Sequence, residues 1–460
     1  MSCSGKSLRS KLDRFLATPY YIIAVMALSI VAHLFSLEVP VYTAFVLVAI
    51  YTALFGKDLL PLTPLFLFFY ISPSIRNNPG YNEQSVFSGA TGTYLLVVCT
   101  GMMLAFGWHV VRNRQTFFKT KRKLLPGFLV LSAAYMLSGV GSENYINVWS
   151  RNLLFAGMQV AALMLPYLLL SSGVDWENAR KDYFAWVGIA GSVAVLVQLI
   201  GCYATENIVV DGVIDRNAIY TGWGMYNNMG MMIALGIPCA FYLADKYRCR
   251  WVGVIAGAVL VAGLLATCSR TSSIIGIVIY CVCMGLVLRH ARKRIHIIIA
   301  LASVVAIGGL VILLFRERLL YLFSGLLKMI LHPSHRDLFF RKGMEIFDQA
   351  PVLGSSFYSP GYLPWDFSIV ESFSALIPPR WHNTYLQLLV SCGVVGLGAY
   401  GYHRYETVRM FLQTRSKEKT FIACALCVIL GCSLYDCHFF NLGPALIYSA
   451  GLAFAEYLKQ

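Results

Sequence analysis

The chain has 460 residues, of which 58% are hydrophobic and 13% charged, and its mean hydropathy is +0.65. Apolar runs of about 17–25 residues recur from Tyr20 onward, which excludes a soluble globular domain and predicts a polytopic all-α membrane protein. The net charge of +15 does not point to nucleic acid, because 26 of the 37 Lys and Arg fall in alternate loops. Four lie in the short loops between these, and seven in one long loop. That asymmetry is the positive-inside pattern, and it predicts a plasma-membrane protein with both termini cytoplasmic and the long loop extracytoplasmic.

Met1 to Arg14 is basic, and the apolar run after it leads straight into further runs, so it reads as the approach to a first span rather than a cleaved signal. Fourteen spans are predicted, at 20–37, 40–55, 58–72, 86–111, 124–140, 150–172, 183–204, 224–245, 251–267, 271–289, 295–315, 384–402, 420–437 and 440–457. Pro61 and Pro64 interrupt the third, but removing it alone would invert every later loop and destroy the charge asymmetry. The expected organisation is therefore 1–315 with eleven spans, 316–382 as an extracytoplasmic cap, and 383–460 with three more. The interiors of these spans are read as free of charged residues near the bilayer centre. Polar residues collect instead at the outer helix ends: Asn227-Asn228, Ser269-Arg270-Thr271, His382-Asn383 and Asp436.

The long loop is rich in aromatics, including Phe339, Phe340, Phe357, Tyr358 and Trp365, which argues for a folded cap over a site rather than disorder. None of the 13 cysteines lies in it, so no disulfide framework is expected there. Cys424 and Cys427 have redox or metal spacing, but their place in a span makes helix packing the plainer reading.

Four constellations carry chemistry. Arg270 stands between two apolar runs with almost no loop, where a guanidinium can fork onto phosphate oxygens or simply snorkel at the interface. Ser334 and Asp337 read as a capping box opening a helix that Pro351 ends, with Arg336 in its anion-favouring first turn. Arg341 is about 140° around that helix from Arg336 and is more cheaply explained by an i,i+4 pair with Asp337. His382 opens the next span, where it can take a proton from an acceptor hydroxyl or be merely structural; Asn383 beside it can cap the helix. Arg216 lies in another outward loop, close to Asp211 and Asp215. The sequence contains no phosphate-binding Gly-Lys-Ser/Thr loop and no acidic cluster for a divalent ion, so neither a metal nor another cofactor is expected. A group transferred at the outer face must then arrive already activated, and a lipid diphosphate carrier is the physically sensible donor.

At this point the chain resembles the bacterial O-antigen ligase and O-antigen polymerase superfamily of multi-span glycosyltransferases. The resemblance covers roughly 205–440 and rests on an ordered set of segments. These are Gly222 to Asn228 entering a span with Pro238, Ser269-Arg270-Thr271, Arg336 through Ala350-Pro351 to Gly354, and His382 to Leu386 leading to Gly393 and Gly396. It implies that Arg270 and Arg336, with Arg216 as a looser match, hold the donor diphosphate and that His382 is the base, without a metal. Asn228, Asn383, Arg341 and Arg380 are expected to support them. Two departures stand out: Ser391-Cys392 occupy a place where the family often has an acid, and about 200 N-terminal residues match nothing in it.

The resemblance implies polyprenyl-diphosphate-linked glycans as donor, and as acceptor either a lipid-linked repeat unit for a polymerase or a lipid A core or protein for a ligase. The cations from Lys328 to Lys342, with His332 and His335, favour two anionic headgroups and hence the polymerase. A glycan-lipid flippase would need polar residues along a path through the bilayer, and a non-catalytic scaffold would not need His382, Arg270 and Arg336 to converge.

Overall fold

The computed structural model describes all residues except 1–2, 36, 57, 69–88, 144, 206–208, 211–212, 215–218, 222–223, 291–293, 315–335, 359–379, 414–415 and 459–460. The chain is overwhelmingly helical. In order its helices are α1 (Cys3–Leu16), α2 (Pro19–Phe35), α3 (Glu38–Phe55), α4 (Leu62–Phe68), α5 (Gly89–Arg112) and α6 (Arg114–Lys119). There follow α7 (Leu125–Met136), α8 (Tyr145–Gly173), α9 (Tyr183–Thr205), α10 (Tyr226–Lys246), α11 (Arg250–Ala266), α12 (Arg270–His290) and α13 (Ile295–Leu314). The cap supplies α14 (Arg336–Gln349), and α15 (Thr384–Gln413), α16 (Lys417–Cys432) and α17 (Leu442–Tyr457) complete the set. Two antiparallel pairs of two-residue strands, between 209 and 225, are the described β-structure.

Every predicted span has a helix within it, because uninterrupted apolar sequence satisfies its backbone internally when water is absent. Among the described residues five helices are long and apolar enough to cross a membrane, and six if the bent pair Arg9–Leu16 and Pro19–Phe35 counts as one. Several of the other predicted segments contain shorter helices; α7, for example, has 12 residues.

Among the helices long and apolar enough to cross a membrane, α10 is the most enclosed, and its residues from Met229 to Asp245 are all buried. Small residues set its distances to neighbours. A Cβ on Gly230 would stand 2.7 Å from Ser272 Cβ, so α10 and α12 lie in near-backbone contact.

The charged loops gather at one end of the bundle. Lys123 donates to Gln413 Oε1 at 3.2 Å, and Tyr457 donates to the Lys121 carbonyl at 2.8 Å. Asp182 holds Arg180 and Lys246, both at 3.1 Å, while Asp245 holds Arg250 and, at 3.1 Å, Lys417. The opposite end carries Asn152, Asn227, Ser269, His382 and Asp436.

Two expectations need correction. The first concerns α15, which is two helices joined at Gly393 (φ 65°, ψ −165°). In a straight helix the rings of Tyr385 and Tyr400 would lie about 22 Å apart; their centroids are 5.6 Å apart. The element is therefore a short arm, 384–392, folded against a long arm, 394–413. That shifts the long arm's centre to Arg404, which the sequence placed beyond the span. Arg404 lies nine residues, or about 14 Å, from Gln413. Its guanidinium is enclosed by the rings of Tyr400, Phe439 and Tyr448 at 4.3, 4.7 and 4.7 Å, and it donates to Tyr448 Oη. The helical interiors are thus not free of charge.

The second concerns the cap. Its helix α14 starts at Arg336 and ends before Pro351, as the sequence predicts; Ser334 of the predicted capping box lies outside the described residues. The segment after it does not lie over the bundle but enters it. Val394 and Val395 donate to the carbonyls of Pro351 and Val352 at 2.9 and 3.2 Å. Ser355 and Ser356 donate to those of Val390 and Ser391 at 2.9 and 3.2 Å. The break at Gly393 frees backbone groups in a water-poor interior, and the cap segment satisfies them. Phe357 follows, fully buried against Tyr135, Phe155 and Phe440, with its N–H held by Asn152 Oδ1 at 3.0 Å.

Candidate functional site

The short arm of α15 brings His382 to the polar end of the bundle. Trp381 anchors its base: the indole is buried with Ile346, Leu386 and Val390, and the backbone N–H of Trp381 donates to Gln387 Oε1 at 3.1 Å. Asn383 caps the arm, as expected, accepting from Tyr385 N at 2.8 Å and Leu386 N at 3.0 Å. Asn383 Nδ2 donates to the Leu434 carbonyl at 2.8 Å, and Thr384 N donates to that of Ser433 at 3.1 Å. These bonds pin the arm to the turn after α16. Between anchor and cap, His382 is held with φ 51°, the left-handed region that few side chains adopt. Its ring meets Phe339 of α14 edge-on at 5.4 Å.

The predicted span 420–437 ends as a helix at Cys432, which leaves Asp436 in the turn, facing His382. Asp436 Oδ1 lies 3.5 Å from His382 Nδ1, with the imidazole side chain 44% exposed and the carboxylate 18%. Oδ1 also accepts from Cys437 N at 2.7 Å, and Oδ2 accepts from Asn227 Nδ2 at 2.8 Å. Burial by itself would push the Asp436 carboxyl up. The His382 hydrogen bond, the nearby His438 and the Cys437 N–H outweigh it and hold the group well below the usual carboxylate range. An ionised carboxylate only accepts, so Nδ1 carries the ring proton and Nε2 of the neutral ring is left with its lone pair. The arrangement is that of an oriented base.

Arg270 is the first residue of α12, after Cys268 in the left-handed region (φ 58°). Its neighbour Ser269 donates to Asn227 Oδ1 at 2.9 Å and lies 3.0 Å from Ser272 Oγ. Ser269, Asn227, Asp436 and His382 thus form one hydrogen-bonded chain that ends next to Arg270. Arg336 opens α14 three residues before Phe339, so the cap helix carrying it leans on the His382 ring.

The remaining predicted residues divide. Arg216 lies outside the described residues. Arg341 is exposed on α14. Arg380 donates to the Phe440 carbonyl at 3.2 Å and lies over Phe155 at 5.4 Å, which ties the chain before the short arm to the bundle. Asn228 accepts from Asn441 Nδ2 at 3.0 Å, a helix-to-helix tie, and it is Asn227 that reaches the His382 couple.

In the sequence Asp436 and Asn227 are legible only as polar helix ends, without a role. One signal was present: Asp436 is the only charged residue between Lys419 and Glu456. At Ser391-Cys392, where an acid was expected by resemblance, Ser391 Oγ accepts from Gln387 Nε2 at 3.0 Å inside the elbow.

Residues 255–401 match a family model described as O-antigen ligase. No curated protein is significantly similar to the chain. The matched segment takes in Arg270, Arg336, His382 and the interlocked elbow, whereas Asn227 lies before it and Asp436 after it.

Proposed function

We propose, from the match of residues 255–401 to the O-antigen ligase family model, that the chain is a membrane glycosyltransferase that polymerises lipid-linked glycan. The observation that carries this reading is the His382–Asp436 couple at the polar end of a helical bundle whose other end is basic. The positive-inside pattern assigns the basic end to the cytoplasm and the His382 end to the outer face of the plasma membrane.

His382 Nε2 takes the proton of an acceptor hydroxyl, and the oxygen attacks the anomeric carbon of the donor sugar. The bond to the polyprenyl diphosphate breaks with inversion, and the leaving diphosphate gathers negative charge. Arg270 and Arg336 are the cations that stabilise it, since a planar guanidinium forks onto two phosphate oxygens. The half-exposed imidazole suits a hydroxyl arriving from outside, while the cap segment threaded into the elbow keeps base and cap helix together.

The acceptor is a second lipid-linked repeat unit, so both substrates bring a diphosphate headgroup. The cations from Lys328 to Lys342 favour this reading. The description of the matched family favours the second reading, a ligase acting on a lipid A core or protein. Deleting the gene and measuring surface glycan length decides between them. Acceptors capped by single repeat units are expected for the polymerase; full-length chains left on the carrier lipid would establish the ligase.

A further inference from the structure

We propose that Asn227 is a positioning residue, whose amide joins the Arg270 turn and the His382–Asp436 couple into one hydrogen-bonded unit. Its catalytic meaning rests on the function proposed above; its geometry does not. The amide is engaged at both ends, with Nδ2 donating to Asp436 Oδ2 at 2.8 Å and Oδ1 accepting from Ser269 Oγ at 2.9 Å. Asp436 then reaches His382 Nδ1 at 3.5 Å, and Ser269 is bonded through the chain to Arg270. Donating to a carboxylate while accepting from a hydroxyl requires a donor and an acceptor on one short planar group, which is what an asparagine amide offers.

The backbone around Asn227 supports the same role. It stands in the first turn of α10, and the Ser272 hydroxyl donates to its carbonyl at 3.4 Å. The close approach at Gly230 brings α12 near enough for Ser269 to reach it. Base and diphosphate cation come from stretches more than 100 residues apart. Reaction at one anomeric carbon needs both in a fixed register, and misplacement by about 1 Å can cost about 10²-fold.

The unit predicts that amide and carboxylate are exchangeable. With Asn227→Asp and Asp436→Asn together, the carboxylate at 227 accepts from Ser269 and from the new amide at 436. The carbonyl oxygen of that amide still accepts from His382. Every hydrogen bond survives, and the negative charge moves one bond away from the imidazole. The groups facing the unit are His438 and Cys437 on its own turn, Arg380 before the short arm and Cys432 at the end of α16, and Arg270 follows Ser269 in the chain. None of them changes in these variants.

The test uses the full chain in detergent or nanodiscs and two readouts. One is the pH dependence of diethyl pyrocarbonate acylation at His382, followed by peptide mass spectrometry; the other is glycan transfer. Asp436→Asn is expected to move the acylation midpoint to lower pH, because the imidazolium loses its neighbouring charge. The exchange variant is expected to recover part of that shift and part of kcat. Asn227→Leu is expected to lower kcat about tenfold with the donor KM within about twofold, the pattern of lost transition-state positioning. Should Asn227→Leu not elute as a folded species, Asn227→Ser carries the kcat arm with the same expectation. An exchange variant no closer to the wild type than Asp436→Asn in both readouts would overturn the proposal, as would wild-type kcat in the variant at 227. If no form of the protein transfers glycan but the midpoints follow the pattern, the proposed function falls and the hydrogen-bonded unit stands.

Discussion

Gly354 of the cap segment and Gly393 of the broken helix interlock, each occupying the space where the other's neighbours leave no room for a side chain. Both have left-handed φ, 72° and 65°. A Cβ on Gly354 would stand 2.3 Å from the Ser391 carbonyl carbon, and one on Gly393 would stand 2.2 Å from the Val352 carbonyl oxygen. Ala at either place adds backbone strain of about 1–2 kcal/mol to a clash with backbone that cannot move aside. Gly354→Ala and Gly393→Ala are each expected to cost more than about 2 kcal/mol, visible as a lower thermal midpoint in detergent. Because both open the same joint, the double variant should cost less than the sum; full additivity would show that the two contacts are independent.

His382→Ala is expected to reduce glycan transfer by about 10²–10⁴, the usual contribution of a positioned base. Transfer near the wild-type level in this variant would remove His382 from the chemistry.

Asp436 makes a separate prediction about stability. Its folded carboxyl is held below its unfolded value, so the fold binds fewer protons than the unfolded chain wherever the two differ. The stability it supplies is therefore complete above the unfolded value of about 4 and is lost as pH falls below that. Asp182, held down by Arg180, Tyr247 and Lys246 against its own burial, adds a loss of the same sign at the basic end. Thermal midpoints measured from pH 7 to pH 3 should fall on the acid side, and Asp436→Asn should flatten part of that fall. An unchanged slope in the variant would refute the assignment.

Arg270→Lys and Arg336→Lys are each expected to lose most activity, because a point charge does not reproduce a planar fork on a diphosphate. Arg341→Lys, on an exposed face of α14, should be nearly silent. Equal damage from Arg341→Lys and Arg336→Lys would show that the wrong face of the cap helix had been assigned to substrate.

Arg404 sits among three aromatic rings, where its stem and guanidinium fill volume as well as carrying charge. Arg404→Ala should leave a cavity and cost about 2 kcal/mol or more. Arg404→Met keeps most of the volume and removes a buried charge, so its thermal midpoint should stay within a few degrees of the wild type. An equal fall in both variants would mean that the charge itself is required.

The residue string by itself determined what depends on local chemistry. Apolar runs of bilayer length impose helices wherever backbone groups cannot reach water, and the alternating cationic loops come together at one end of the bundle. Asn383 was legible as a cap because an amide before a helix has one obvious use. The segments ending in Gly354 and Gly393 were legible as motifs. That they bind each other was not, since nothing in either sequence states which distant backbone will take up groups freed by a break. The same limit hid Arg404, which looked like a loop residue until the elbow moved the helical arm across it. Asp436 and Asn227 acquired their roles only from the tertiary structure, because an acid and an amide 209 residues apart meet through packing of α10 against the turn after α16. Burial then gives that contact its force: a carboxylate removed from water must be held by donors, and the distant donors it found, besides the Cys437 N–H beside it, are the amide of Asn227 and the ring of His382.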